Sequence, residues 1–210
     1  MLVKDVMRHP VLTVDERATL RSAYQVMQDH QIRHLPVTRS GRLVGMVTDR
    51  DIRLAVSPLA EGGPRHLEAT VGSIMSQPVL CADPLDPVEE AARLMRRRKI
   101  GALPVLEGEE LVGIVTGIDL LDALVTLTGV EKPSGRLEVR LPDRPGELGR
   151  LTQFLGREGI NIHSLLTYPD DPKTVRAVLR VGTTLTHRIA DMLRVEGFNV
   201  VWPPHKPGPK

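Results

Sequence analysis

The 210-residue chain is 41% hydrophobic, enough to bury a sizeable core and to form more than one domain. Its 28 basic and 26 acidic residues are interspersed and leave a formal charge of +2, so composition gives no basis for a nucleic-acid or anionic-membrane partner. A single cysteine, Cys81, excludes an intrachain disulfide. The opening MLVKDVMRHP lacks the apolar centre of a signal peptide, and no apolar run approaches the roughly 20 residues that span a bilayer, so a cytoplasmic protein is expected.

The first 130 residues are a tandem repeat. Placing Pro36 on Pro104 sets an offset of 104 − 36 = 68, which also places Met7 on Met75, Pro10 on Pro78, Gly45 on Gly113, Thr48 on Thr116 and Asp51 on Asp119 without a gap. MRHPVLTVD answers MSQPVLCAD, and RLVGMVTDRD answers ELVGIVTGID.

In chain order, each copy begins with a helix whose apolar face recurs at i, i+3, i+4 and i+7: Leu20, Ala23, Tyr24 and Met27, then Val88, Ala91, Ala92 and Met95. Two short strands follow, HLPVT and LVGMV around the turn RSGR, or ALPVL and LVGIV around EGEE. The threonine closing the second strand opens another helix. The loop-forming stretch 57–69 joins copy 1–56 to copy 70–130, and 131–135 leads to a different segment. There the order is strand RLEVRL, turn PDRPG, a helix with Leu148, Leu151 and Leu155 on one face, and strands INIHSLLTY and TVRAVLRV. A helix carrying Ile189, Met192 and Leu193 and the strand FNVVW complete a βαββαβ pattern over 136–203. The expected class is α/β of the α+β type, with a disordered tail over 204–210.

Thr48 and Asp51, like Thr116 and Asp119, have the spacing of a capping box, in which hydroxyl and carboxylate satisfy open backbone N–H groups. The same spacing also suits a phosphate or phosphoribosyl group at a helix start. Catalysis is not expected: the histidines at 9, 30, 34, 66, 163, 187 and 205 form no ligand or base set by spacing, and no His-Glu-x-x-His, Gly-x-Ser-x-Gly or Walker loop occurs. Cys81, at a strand position, reads as a small buried hydrophobe. The run Arg96 to Lys99 reads as a solvated helix end, and 2% aromatic content leaves little for base stacking. Arg33 and His34 diverge from Gly101 and Ala102, and beside a phosphate either could bind it.

The paired LPV…LVGMVT..D and LPV…LVGIVT..D units resemble two CBS domains forming a Bateman module. That resemblance implies adenine-nucleotide binding (AMP, ADP or ATP), with Thr48, Arg50 and Asp51 at one site and Thr116 and Asp119 at the other. It further implies Thr13 and Val14 with Arg33, His34, Leu35 and Pro36 in the first cleft, and Cys81 and Ala82 with Gly101, Ala102, Leu103 and Pro104 in the second. The segment DRPGELGRLTQFLGREGINIHSL resembles an ACT domain, which implies dimerisation. It also implies an amino-acid site at Asp143, Arg144, Pro145 and Gly146 of one chain with Asn161 and Ile162 of its neighbour. The order CBS, CBS, ACT is similar to that of proteins named for acetoin utilisation, and implies a homodimeric regulator of another protein, without catalytic cofactor or metal. The alternative is a structural adaptor, or a sensor of S-adenosylmethionine or a dinucleotide.

Overall fold

A computed structural model describes residues 1–60 and 62–204, so all but the first residue of the tail expected over 204–210 lies outside the described residues. The chain divides into two compact units, Met1–Ala123 and Leu124–Lys210.

In the first unit, the first repeat forms β1 (Val14–Asp15), α1 (Leu20–Asp29), β2 (His34–Arg39), β3 (Arg42–Thr48) and α2 (Asp49–Ala55). The second repeat forms α3 (Val88–Arg98), β4 (Ala102–Glu107), β5 (Glu110–Thr116) and α4 (Gly117–Thr128), whose last turn passes into the second unit. β2 and β3 pair antiparallel with a register shift at Val37/Thr38, and β4 and β5 repeat this at Val105/Leu106. β1 adds in parallel to β2; its counterpart is the single parallel bridge Ala82↔Val105. The apolar faces expected of α1 and α3 are buried, at Leu20, Ala23 and Met27 and at Val88, Ala91 and Met95.

Sequence repeat and packing unit are out of phase. Val3, in the 3-10 turn Val3–Asp5, belongs to the core of the second repeat with Leu103, Val105 and Val115. Val71, in the 3-10 turn Val71–Ser73, belongs to the core of the first with Leu35, Val37 and Val47. Hydrogen bonds enforce the exchange: Val3 N–H donates to Asp86 O at 2.9 Å and Lys4 N–H to Pro84 O at 3.0 Å, while Val71 N–H donates to Ala18 O and Gly72 N–H to Glu16 O, both at 2.8 Å. Each repeat therefore lends its opening segment to the other. Satisfying these backbone groups at a buried junction is what makes the exchange specific, because an unpaired buried amide is costly.

The second unit carries β6 (Gly135–Pro142), α5 (Glu147–Arg157), β7 (Ile162–Asp171), β8 (Thr174–Val181), α6 (Thr186–Val195) and β9 (Asn199–Trp202), in the sheet order β7-β8-β6-β9, all antiparallel neighbours. Leu151 and Leu155 of α5 and Ile189 and Leu193 of α6 pack on Leu137, Val139, Ala177 and Leu179. One expectation is corrected: Leu148 is exposed, and the residue buried at the start of α5 is Glu147. Glu147 lies four residues before Leu151 on the inward face, and its carboxylate is neutralised by Arg144 at 2.6 Å and Arg150 at 3.2 Å. Those guanidiniums, Arg144 first, hold its carboxyl below the ordinary range.

Candidate binding clefts

Both Thr-x-x-Asp segments form their capping boxes. Asp51 Oδ2 accepts from Thr48 N–H at 2.9 Å and from Thr48 Oγ1 at 2.7 Å, while Thr48 Oγ1 accepts from Asp51 N–H at 3.1 Å. Asp119 Oδ2 accepts from Thr116 N–H at 2.8 Å and Oγ1 at 2.6 Å, and Asp119 N–H returns to Thr116 Oγ1 at 3.4 Å. One carboxylate oxygen thus completes each cap. At Asp51 the other is left over among the described residues, so capping and ligand binding do not compete for the same atom there, whereas Oδ1 of Asp119 is already taken by Arg8.

Beside each box lies a cleft, and the exchanged segments make each cleft from both repeats. The cleft of Thr48 and Asp51, about 600 Å³, is walled by Pro78, Val79 and Leu80 of the second repeat. The cleft of Thr116, about 560 Å³, is walled by Pro10 and Leu12 of the first. Both peptide bonds entering these walls, His9–Pro10 and Gln77–Pro78, are cis. Backbone bridges Met46↔Ser76 and Arg8↔Ile114 pin the walls to the strands that carry the boxes.

The expected composition of each cleft changes accordingly. Thr13 is exposed and Val14 pairs with Val37, its side chain in the core, while the cleft walls described above are formed by Leu12, Pro10 and their counterparts Leu80 and Pro78. Ala82 is likewise in the core. Cys81 lies outside any strand and is half-buried rather than buried, in a shallow groove with Leu43, Val44 and Leu106; burial raises its thiol pKa. Leu35, Pro36, Leu103 and Pro104 are buried strand residues behind the clefts. Arg33, His34 and Gly101 line both clefts, and Ala102 lines the one with Thr48.

His34 sits between the two clefts because position 101 is glycine: a Cβ there would stand 2.7 Å from His34 Nε2. Burial lowers the His34 pKa, opposed by Asp49 and Asp51 and assisted by Arg33.

The charges differ between clefts. Around Thr48 and Asp51 stand Arg33, Arg50 and Lys99. Lys99, read from sequence as part of a solvated helix end, takes a left-handed conformation at the C-terminus of α3, with φ 56°, and lines this cleft. Around Thr116 the equivalents of Arg50 and Lys99 are Ile118 and Gln31, and the added cation is Arg8, whose Nε donates to Asp119 Oδ1 at 2.7 Å. Sequence reasoning missed Arg8; its signal is the loss of charge at the equivalent Ser76, between the matched pairs Met7/Met75 and Pro10/Pro78.

In the second unit, the loop Asp143–Gly146 is exposed, with Gly146 at φ 93° and open space where a Cβ would be. Pro142, just before it, is in register with Thr174, whereas Ile162 and Gly135 are both in register with Val181. The loop and Asn161 are therefore at opposite ends of one chain's sheet, roughly 23 Å apart at about 3.3 Å per residue. A site using both requires two chains.

No group of three or more His, Cys, Asp or Glu side chains suited to a metal occurs among the described residues, and no described helix is long and apolar enough to cross a membrane.

The CBS domain model matches residues 3–58 and 71–126, and the ACT domain model matches 135–193. A CBS domain-containing protein of Dictyostelium discoideum is 41% identical over 133 residues, 60% of this chain and 92% of that protein. The CBS domain pair of protein MJ0100, crystallised with 5′-methylthioadenosine and S-adenosyl-L-methionine, is 30% identical with a TM-score of 0.53, over 63% of this chain and 98% of that one. A Vibrio cholerae structure named for acetoin utilization (AcuB) is 29% identical with a TM-score of 0.53, over 63% of this chain and 98% of that one.

Proposed function

Because the chain belongs to the CBS family, as a tandem pair of CBS domains followed by an ACT domain, we propose that this regulatory, signal-sensing protein binds adenine nucleotides (AMP, ADP or ATP) in its two clefts. The observation that carries the reading is Asp51. Its Oδ2 completes the cap, no hydrogen bond to Oδ1 is formed among the described residues, and the side chain lines a cleft that also holds Arg33, Arg50 and Lys99. A carboxylate oxygen beside cations suits ribose hydroxyls next to phosphates. The walls Pro78, Val79 and Leu80 offer the apolar surface an adenine needs.

The ACT domain serves dimerisation, and its Asp143–Gly146 loop with Asn161 and Ile162 of a second copy forms an amino-acid site. The reading is of a cytoplasmic, non-catalytic homodimer whose change of shape regulates an enzyme, with a link to acetoin metabolism suggested by the likeness to AcuB. Regulation requires that ligand prefer one arrangement; a tenfold preference is about 1.4 kcal/mol.

A second reading, that the physiological ligand is S-adenosylmethionine or a related adenosyl compound, is favoured by the ligands of the MJ0100 pair. A thermal-shift and calorimetry panel of adenosine, AMP, ADP, ATP, NAD and S-adenosylmethionine separates the two. Stabilisation by the nucleotides supports the first, and by S-adenosylmethionine alone the second. Light scattering that finds a monomer at micromolar concentration removes the shared amino-acid site. Absence of heat with every common amino acid, for wild type as for Gly146→Val, leaves the ACT domain purely structural.

A further inference from the structure

The two clefts differ at the atom that would hold a ribose. Asp119 is only 5% exposed beneath Arg8, and both its oxygens are engaged, Oδ2 by Thr116 and Oδ1 by the Arg8 guanidinium. Asp119 is accordingly absent from the wall of its cleft, where Arg8 stands instead. Asp51 lines the other cleft, and the residue equivalent to Arg8 is Ser76, which carries no charge.

Resting on the adenosyl reading above, we propose that Arg8 makes the Thr116–Asp119 cleft selective for ligands carrying a phosphoryl group, whereas the Thr48–Asp51 cleft accepts an adenosyl ligand with or without one. A ribose reaches Asp119 only if Arg8 leaves it, and a buried carboxylate surrenders a cation unfavourably unless the ligand compensates both partners. Arg8 is 62% exposed and long enough to turn outward. A nucleotide compensates both: its phosphate takes the guanidinium, with the planar fork that suits it, and its ribose hydroxyls replace Arg8 on Asp119. Adenosine offers only the hydroxyls. With Ile118 and Gln31 in place of Arg50 and Lys99, this cleft relies on Arg8 and Arg33 to meet an anion. In the Thr48–Asp51 cleft no exchange is required; phosphate adds affinity there through Arg50 and Lys99 without being a condition of entry.

Calorimetry on the full chain with adenosine and AMP tests this. Wild type should take two equivalents of AMP and one of adenosine. Asp51→Asn should lose the adenosine heat and keep one equivalent of AMP. Arg8→Ser, which gives the second cleft the residue of the first, should admit a second equivalent of adenosine and weaken AMP at that cleft about tenfold. Should Arg8→Ser not fold, the wild-type and Asp51→Asn stoichiometries decide alone. Equal stoichiometry of the two ligands in wild type, whether one or two, overturns the gate and leaves the adenosyl reading standing, as does adenosine binding that survives Asp51→Asn. No heat with either ligand overturns both.

Discussion

The thioether of Met75 lies directly over Gly45: a Cβ on that glycine would stand 2.4 Å from the sulfur. Met7 covers Gly113 in the same way, again at 2.4 Å. Each methionine follows a 3-10 turn of the exchanged segments, so the glycine in each Leu-Val-Gly strand is required by a side chain from the opening of the other repeat.

Gly45→Ala and Gly113→Ala should each destabilise the chain by about 1–3 kcal/mol through overpacking. The strain reaches the methionine Cβ, 3.1 and 3.2 Å from the added carbon, so a simple rotation of the thioether does not relieve it. Urea midpoints should fall at unchanged slope. The double variants Gly45→Ala/Met75→Ala and Gly113→Ala/Met7→Ala should lose less than the sum of their parts.

The exchanged valines make a crossed prediction. Val3→Ala should cost roughly 2 kcal/mol by the large-to-small scale, and its effect should appear far away in sequence. Hydrogen exchange should accelerate in β4 and β5, with β2 and β3 little changed. Val71→Ala should do the reverse. Loss of protection in the repeat nearer in sequence would contradict the exchange.

Asp51→Asn and Asp119→Asn should differ in the ligand-free state. An asparagine at 51 keeps the capping oxygen and exposes its amide to solvent, so unfolding temperature should hardly move. At 119 the amide would meet Arg8 Nε, donor against donor, at the cost of a charge-assisted hydrogen bond, about 1.5–3 kcal/mol. With nucleotide, each variant should lose about one to two decades of affinity in its own cleft. Wild-type affinity in the double variant would sink the site assignment, and a large loss of ligand-free stability in Asp51→Asn would return that motif to capping alone.

His34 sets a pH dependence. Burial lowers its pKa below the ordinary 6.5, so the folded chain binds that proton less tightly than the unfolded chain. The contribution of neutral His34 is complete above about pH 6.5 and is lost as pH falls from there through the lowered folded value. Melting temperatures should decline over that acid window, and His34→Gln should flatten the decline. A dependence unchanged by the substitution would place the titrating group elsewhere.

The duplication, the helix and strand order of both repeats, and the βαββαβ segment were legible because each rests on local periodicity and turn chemistry, which neighbouring residues settle among themselves. The exchange of opening segments was not. Met7 and Met75 are the same residue in the same context, so nothing local tells whether a copy packs on itself or on its twin; only the three-dimensional closure of the backbone bonds at Val3 and Val71 decides it. Charges misled for a related reason. Leu148 was placed on the inward face of α5 because an apolar residue suits it better than a carboxylate, yet Glu147 is buried there with Arg144 and Arg150 against it, and Lys99 looked solvated because its left-handed conformation has no glycine to announce it.

Reciprocal exchange has the symmetry of a two-fold homodimer, in which each partner offers the other the same patch. In such a dimer every substitution is made twice, and the two halves stay identical. Here both halves lie on one chain, so position 8 can be arginine while position 76 is serine, and position 34 can be histidine while position 102 is alanine, the glycine at 101 leaving room for the imidazole. Covalent linkage keeps the architecture of a symmetric pair while releasing its two halves from identity. It is this release that lets one molecule present two unlike clefts built from a single repeated phrase.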